Sequence, residues 1–83
     1  MLLTGQVVQE NRKRGYAIVA VEGGDFAVFE VMDRTELKPG CQLRGNLHAT
    51  GFVTLLDLAS GKRFSAYGHT GPSTLEDCNK VSR

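Results

Sequence analysis

Apolar and polar residues alternate loosely from Leu2 onward, β-branched residues are frequent and glycines recur at short intervals. That is the pattern of short strands joined by tight turns. A first strand is predicted from Leu2 to about Glu10, with a turn over Asn11–Gly15. Tyr16–Val21, nearly all apolar, reads as the second strand and Phe26–Val31 as the third. Between them Glu22-Gly23-Gly24-Asp25 is a turn, since Gly-Gly admits positive φ. Three successive strands with short turns make an antiparallel meander. Met32–Leu37 is polar enough to hold one helical turn, which Lys38-Pro39-Gly40 ends. A fourth strand is expected from Cys41 to Leu47, a turn at His48–Gly51, a fifth strand over Phe52–Leu58 and a turn at Ser60–Lys62. Arg63–Tyr67 can form a short final strand, whose pairing the pattern leaves open. Further on, Gly71-Pro72 breaks structure. Ser73-Thr74-Leu75-Glu76 then matches a capping box, in which Ser73 and Glu76 satisfy each other's backbone donors. A short helix over 74–81 follows, or a frayed tail unless Leu75 and Val81 dock.

Five or six short strands in so short a stretch must each bury one face, and closing the sheet on itself removes its exposed edges. The prediction is an all-β domain over 1–68, a small five-stranded antiparallel barrel of OB type with an extra C-terminal hairpin strand as an option, and a tail over 69–83. An SH3-like barrel is the nearest alternative from pattern alone. Strand alternation sorts the faces of the meander. Ala17, Val19, Val21, Ala27, Phe29 and Val31 contain no polar residue and are the expected core. The opposite face carries Tyr16, Ile18, Phe26 and Val28, with Glu30 at one end and a basic turn at the other. A cluster of apolar side chains facing outward suggests a contact surface, or a face packed under the tail or a loop.

Composition narrows the classes. The chain has 83 residues, 41% hydrophobic and 23% charged, which suits one globular domain rather than a disordered segment. No apolar run reaches the roughly 20 residues of a membrane-spanning helix, and Met1-Leu2-Leu3 is too short a start for a signal peptide. A net charge of +1 argues against a strongly basic, histone-like binder. Nucleic-acid binding would therefore come from a local patch, of which Arg12-Lys13-Arg14 is the densest. The two cysteines, Cys41 and Cys78, fit free thiols in a reducing cytoplasm.

Asn11-Arg12-Lys13-Arg14-Gly15-Tyr16-Ala17-Ile18-Val19 joins cations, a turn glycine and an aromatic that opens a strand. Cations hold phosphate and a flat ring stacks on a base. Within it, Arg14-Gly15-Tyr16-Ala17-Ile18-Val19 resembles the first ribonucleoprotein motif of the cold-shock domain family, Lys-Gly-Phe-Gly-Phe-Ile. Thr4-Gly5-Gln6-Val7 is similar to the family's opening Gly-x-Val, Asn11 to the asparagine ending its first strand, and Leu37-Lys38-Pro39-Gly40 to its Leu-x-x-Gly before the fourth strand. The likeness covers about Leu3–Leu47 and implies an OB-fold barrel that binds single-stranded RNA or DNA. The chain departs from the family where Gln9-Glu10 replaces Trp-Phe, where Ile18 replaces the second aromatic, and where Val28 and Glu30 replace the phenylalanine and histidine of the second motif. Those changes imply weak binding.

The expected function is thus non-enzymatic binding of single-stranded nucleic acid. Arg12, Lys13, Arg14, Lys62 and Arg63 would contact phosphate, and Tyr16, Phe26, Ile18 and Val28 would meet bases. The alternative is a protein-interaction module using the same outer face. No nucleophile motif or phosphate-binding loop stands in the sequence, so no catalytic residue and no cofactor is predicted. Cys41, Cys78, His48 and His69 lie in separate segments without metal-ligand spacing, so no metal site is predicted either. Cys41 is expected as a small core residue, with His48 and His69 in exposed turns.

Overall fold

A computed structural model describes residues 2–11, 13, 15–32, 37–70 and 73–82, the last two residues by backbone alone. Arg12, Arg14 and most of the predicted helical turn after Met32 lie outside the described residues. Six antiparallel strands form a closed barrel: β1 (Leu3–Asn11), β2 (Tyr16–Val21), β3 (Phe26–Val31), β4 (Gln42–Gly45), β5 (Gly51–Asp57) and β6 (Arg63–Gly68). One helix, α1 (Leu75–Ser82), follows. Around the barrel the order is β1-β2-β3-β6-β5-β4, and β4 returns to β1.

Two three-stranded meanders therefore face each other, joined at β3–β6 and at β1–β4. The sequence predicts five strands with an optional sixth over Arg63–Tyr67, and that sixth strand is β6. It is a full barrel member, paired along its length with β5 and at its C-terminal end with β3. A register shift between Val7 and Gln9 bends β1, so that its first half pairs with β4 and its second half only with β2. The leftover residue, Val8, points to solvent.

The interior holds Val7, Ala17, Val19, Val21, Ala27, Phe29, Leu43, Leu47, Leu55, Phe64 and Ala66, with Leu37 from the β3–β4 connection. Small and large side chains alternate, which lets a narrow barrel fill without voids. The predicted inward set of β2 and β3 is found there, with Val31 only partly buried at the rim. Two glycines are demanded by this geometry. Gly15 closes the β1–β2 turn at φ 72°. Gly68 ends β6, where a side chain would run into the Ala49 carbonyl oxygen.

After β6 the chain keeps following β3. His69 N–H donates to the Val28 carbonyl at 2.9 Å, and Ser73 and Phe26 exchange both backbone hydrogen bonds at 2.9 Å. Thr74 then caps α1, its hydroxyl accepting from the Asp77 N–H at 3.2 Å. The sequence predicts Ser73 as the cap; its backbone belongs instead to the bridge with Phe26, which moves the helix start one residue on. The helix packs across β2 and β3. Cys78, wholly buried, makes the contact, while Leu75 remains 37% exposed. No helix among the described residues is long and apolar enough to cross a membrane.

Candidate nucleic-acid interface

Barrel closure places one row of side chains across four neighbouring strands. Tyr16 on β2 stands opposite Glu30 on β3, Glu30 opposite Tyr67 on β6, and Tyr67 opposite Phe52 on β5. All four are on the outer face, because their neighbours Ala17, Phe29 and Ala66 point into the core. His69, just beyond β6, lays its ring into the row. It meets Tyr16 with ring centroids 4.8 Å apart and Tyr67 at 5.1 Å, both edge-on at 60°. Phe52 continues the series against Tyr67 at 5.0 Å and 83°, and is 76% exposed.

The row also fixes an acid. His69 Nε2 lies 3.0 Å from Glu30 Oε1. A carboxylate only accepts hydrogen bonds, so Nε2 is the donor and the tautomer follows. Glu30 thus sits at the middle of an aromatic row with one oxygen held by an imidazole that two tyrosines clamp.

Cations flank the row toward one end of the barrel. Lys13 is exposed in the β1–β2 turn. The Gly15 carbonyl accepts from Val31 N–H at 2.9 Å, and Met32 N–H donates to the Ser65 carbonyl at 3.0 Å. That end of β2 is therefore also the end where β6 begins. Below the aromatics, the outer positions of β5 and β6 pair Thr54 with Ser65 and Leu56 with Arg63, and Arg44 of β4 stands opposite Leu56. Arg44 and Arg63 line a cleft of about 210 Å³ with Leu2, Thr54 and Leu56. Lys62 is exposed on the β5–β6 turn, one strand removed from β2.

Two predicted base contacts need correction. Ile18 and Val28 are 1% and 0% exposed, buried with Cys78 beneath α1. Phe26 and Tyr16 pack partly against the same cluster. The physical reason is the Ser73–Phe26 bridge, which turns the tail back over this half of β2 and β3. The outer face is consequently divided: the Ile18–Val28 half is covered, and the Tyr16–Glu30 half runs on into Tyr67 and Phe52.

Phe52, Tyr67, His69 and Arg44 are functional candidates that the sequence reading missed. Alternation in Phe64-Ser65-Ala66-Tyr67-Gly68-His69 already put Tyr67 and His69 on one face. What makes them neighbours of Tyr16 is the β3–β6 pairing, which alternation does not encode.

The other histidine stands apart. His48 Nε2 is buried without a hydrogen-bond partner, 3.4 Å from Asp25 Oδ2 but outside bonding geometry. Both thiols are free. Burial pushes the Cys78 thiol above its ordinary value of 9.0, against a smaller opposing effect of the Thr70 hydroxyl, and the neighbouring Asp77 adds to the rise. No cluster of three His, Cys, Asp or Glu side chains forms among the described residues.

No protein-family model, no curated protein and no solved structure matches the chain.

Proposed function

We propose that this chain is a divergent cold-shock-like barrel of OB type that binds single-stranded RNA or DNA, weakly and without catalysis, on the outer face of β2, β3, β6 and β5. The observation that carries the proposal is the run of four rings, Tyr16, His69, Tyr67 and Phe52, open to solvent at Phe52. Adjacent strands lie about 4.8 Å apart, so a row over four strands offers room for roughly two or three stacked bases, as on other aromatic sheet surfaces. Lys13, Arg63 and Arg44, toward one end of the barrel beside the row, supply phosphate contacts, and Arg12 and Arg14 are neighbours of Lys13 in sequence. Ile18 and Val28 lie beside this surface, beneath α1, and are not part of it. The free thiols accord with a reducing, cytoplasmic setting.

The test is a titration of labelled oligo(dT) and of a mixed-sequence RNA at low and physiological salt, followed by backbone amide shifts. Salt-sensitive shifts at Lys13–Tyr16, Glu30, Phe52, Tyr67 and His69 are expected. Absence of shifts at high-micromolar ligand would overturn the reading and return the face to a protein partner.

A further inference from the structure

The geometry points to Glu30 as the residue that selects the base, favouring guanine over thymine or uracil on this surface. The inference rests on the nucleic-acid reading above and deepens it.

Glu30 is the one acidic side chain in the aromatic row, flanked by Tyr16 and Tyr67 on the strands beside it. Its side chain is 36% exposed. His69 holds Oε1 at 3.0 Å, and His69 is itself fixed between two tyrosine rings and by its backbone bond to Val28. Among the described residues the carboxylate has no other partner, so Oε2 and the remaining lone pair of Oε1 stay available from a defined position.

A carboxylate among stacking rings repels phosphate. The backbone of a bound strand is therefore driven to the rim that carries Lys13 and Arg63, the end shared by the start of β2 and the start of β6, and the base edges turn inward over the row. A base lying on Tyr16 or Tyr67 then brings its Watson–Crick edge to Glu30. Guanine offers two adjacent donors there, N1–H and N2–H, which match acceptor-only oxygens. Adenine and cytosine offer one amino donor beside a ring-nitrogen acceptor. Thymine and uracil place a single N–H between two carbonyl oxygens, which face the carboxylate lone pair to lone pair. The order expected is guanine first, adenine and cytosine between, thymine and uracil last. A bidentate contact of this kind discriminates by about tenfold in affinity.

The test compares a thymidine heptamer with the same heptamer carrying one central guanine, and with one carrying central hypoxanthine, which lacks the N2 amino group. Affinities are read by fluorescence anisotropy for the wild type and for Glu30→Gln. The wild type should bind the guanine heptamer about tenfold more tightly than the all-thymine one, with hypoxanthine between. Glu30→Gln should bind both while losing most of the difference. Equal wild-type affinity for the guanine and thymine heptamers overturns the inference and leaves the binding surface standing. A guanine preference that persists unchanged in Glu30→Gln also overturns it. Failure of every heptamer to bind at high-micromolar protein overturns the nucleic-acid reading itself.

Discussion

Phe52 meets Tyr67 edge-on, with ring centroids 5.0 Å apart and planes at 83°. The two differ in what else they do. Phe52 is 76% exposed, whereas Tyr67 is half-buried and also touches His69. Phe52→Ala should therefore weaken oligonucleotide binding with little effect on folding. One stacked base is worth roughly 1–3 kcal/mol, so affinity should fall by about five- to 150-fold. Anisotropy titration alongside a thermal melt checks this; an unchanged Kd with a lowered Tm would assign Phe52 to structure instead.

Gly68 is required by proximity rather than by its dihedral angle. A β-carbon there collides with the Ala49 carbonyl oxygen and comes within 3.3 Å of the Thr50 Cα. Backbone cannot rotate away as a side chain can, so Gly68→Ala should destabilise the barrel by about 1–3 kcal/mol, the range for overpacking. For a domain of this size that lowers Tm by roughly 4–8 °C per kcal/mol, measurable by calorimetry or circular dichroism.

Thr74 starts the helix that covers Ile18 and Val28. Thr74→Ala should remove about 1 kcal/mol, felt locally because α1 is short and packs mainly on β2 and β3. Amide exchange should accelerate over 75–80 before it does in β5 or β6, and Thr74→Ser should behave as wild type. Uniform acceleration across the barrel would contradict a local role.

Cys78 gives a pH dependence with a definite sign. Burial raises its pKa, so the folded state holds the proton more tightly than the unfolded state does. The stability this contributes is complete below the ordinary value of 9.0 and is lost as pH rises from there through the folded pKa. Urea midpoints should fall more steeply above pH 9 in the wild type than in Cys78→Ala. At neutral pH, Cys78 should react with a disulfide reagent far more slowly than the partly exposed Cys41.

Strand periodicity located five of the six strands to within a residue and overran only the fourth, predicted to reach Leu47 but ending at Gly45, since Leu47 turns into the core. It also separated Ala17, Val19, Ala27 and Phe29 from Tyr16 and Ile18, since side chains two apart share a face whatever the topology. Periodicity does not say what lies over the outer face. Ile18 and Val28 carried the clue: a strand apolar on both sides is usually covered on both sides, and Cys78 was the apolar residue in the tail placed to cover it. The aromatic row was less legible still. Tyr16 and Tyr67 are far apart in the sequence, and only the hydrogen bonds between β3 and β6 make them neighbours. His69 enters the row by following β3 beyond the end of β6, a path no local signal marks.

The pairing of β3 with β6 also governs the order in which the molecule can be assembled. During synthesis β1, β2 and β3 can form a meander early, but the free edge of β3 waits for residues 63–68. Until then a strand of Phe, Ala and Val with a single Glu presents unpaired backbone to every other nascent chain, the arrangement that favours edge-to-edge aggregation. A chain stopped at Lys62 should accumulate in insoluble form, and refolding of the whole chain should be limited by the long-range closure rather than by its hairpins.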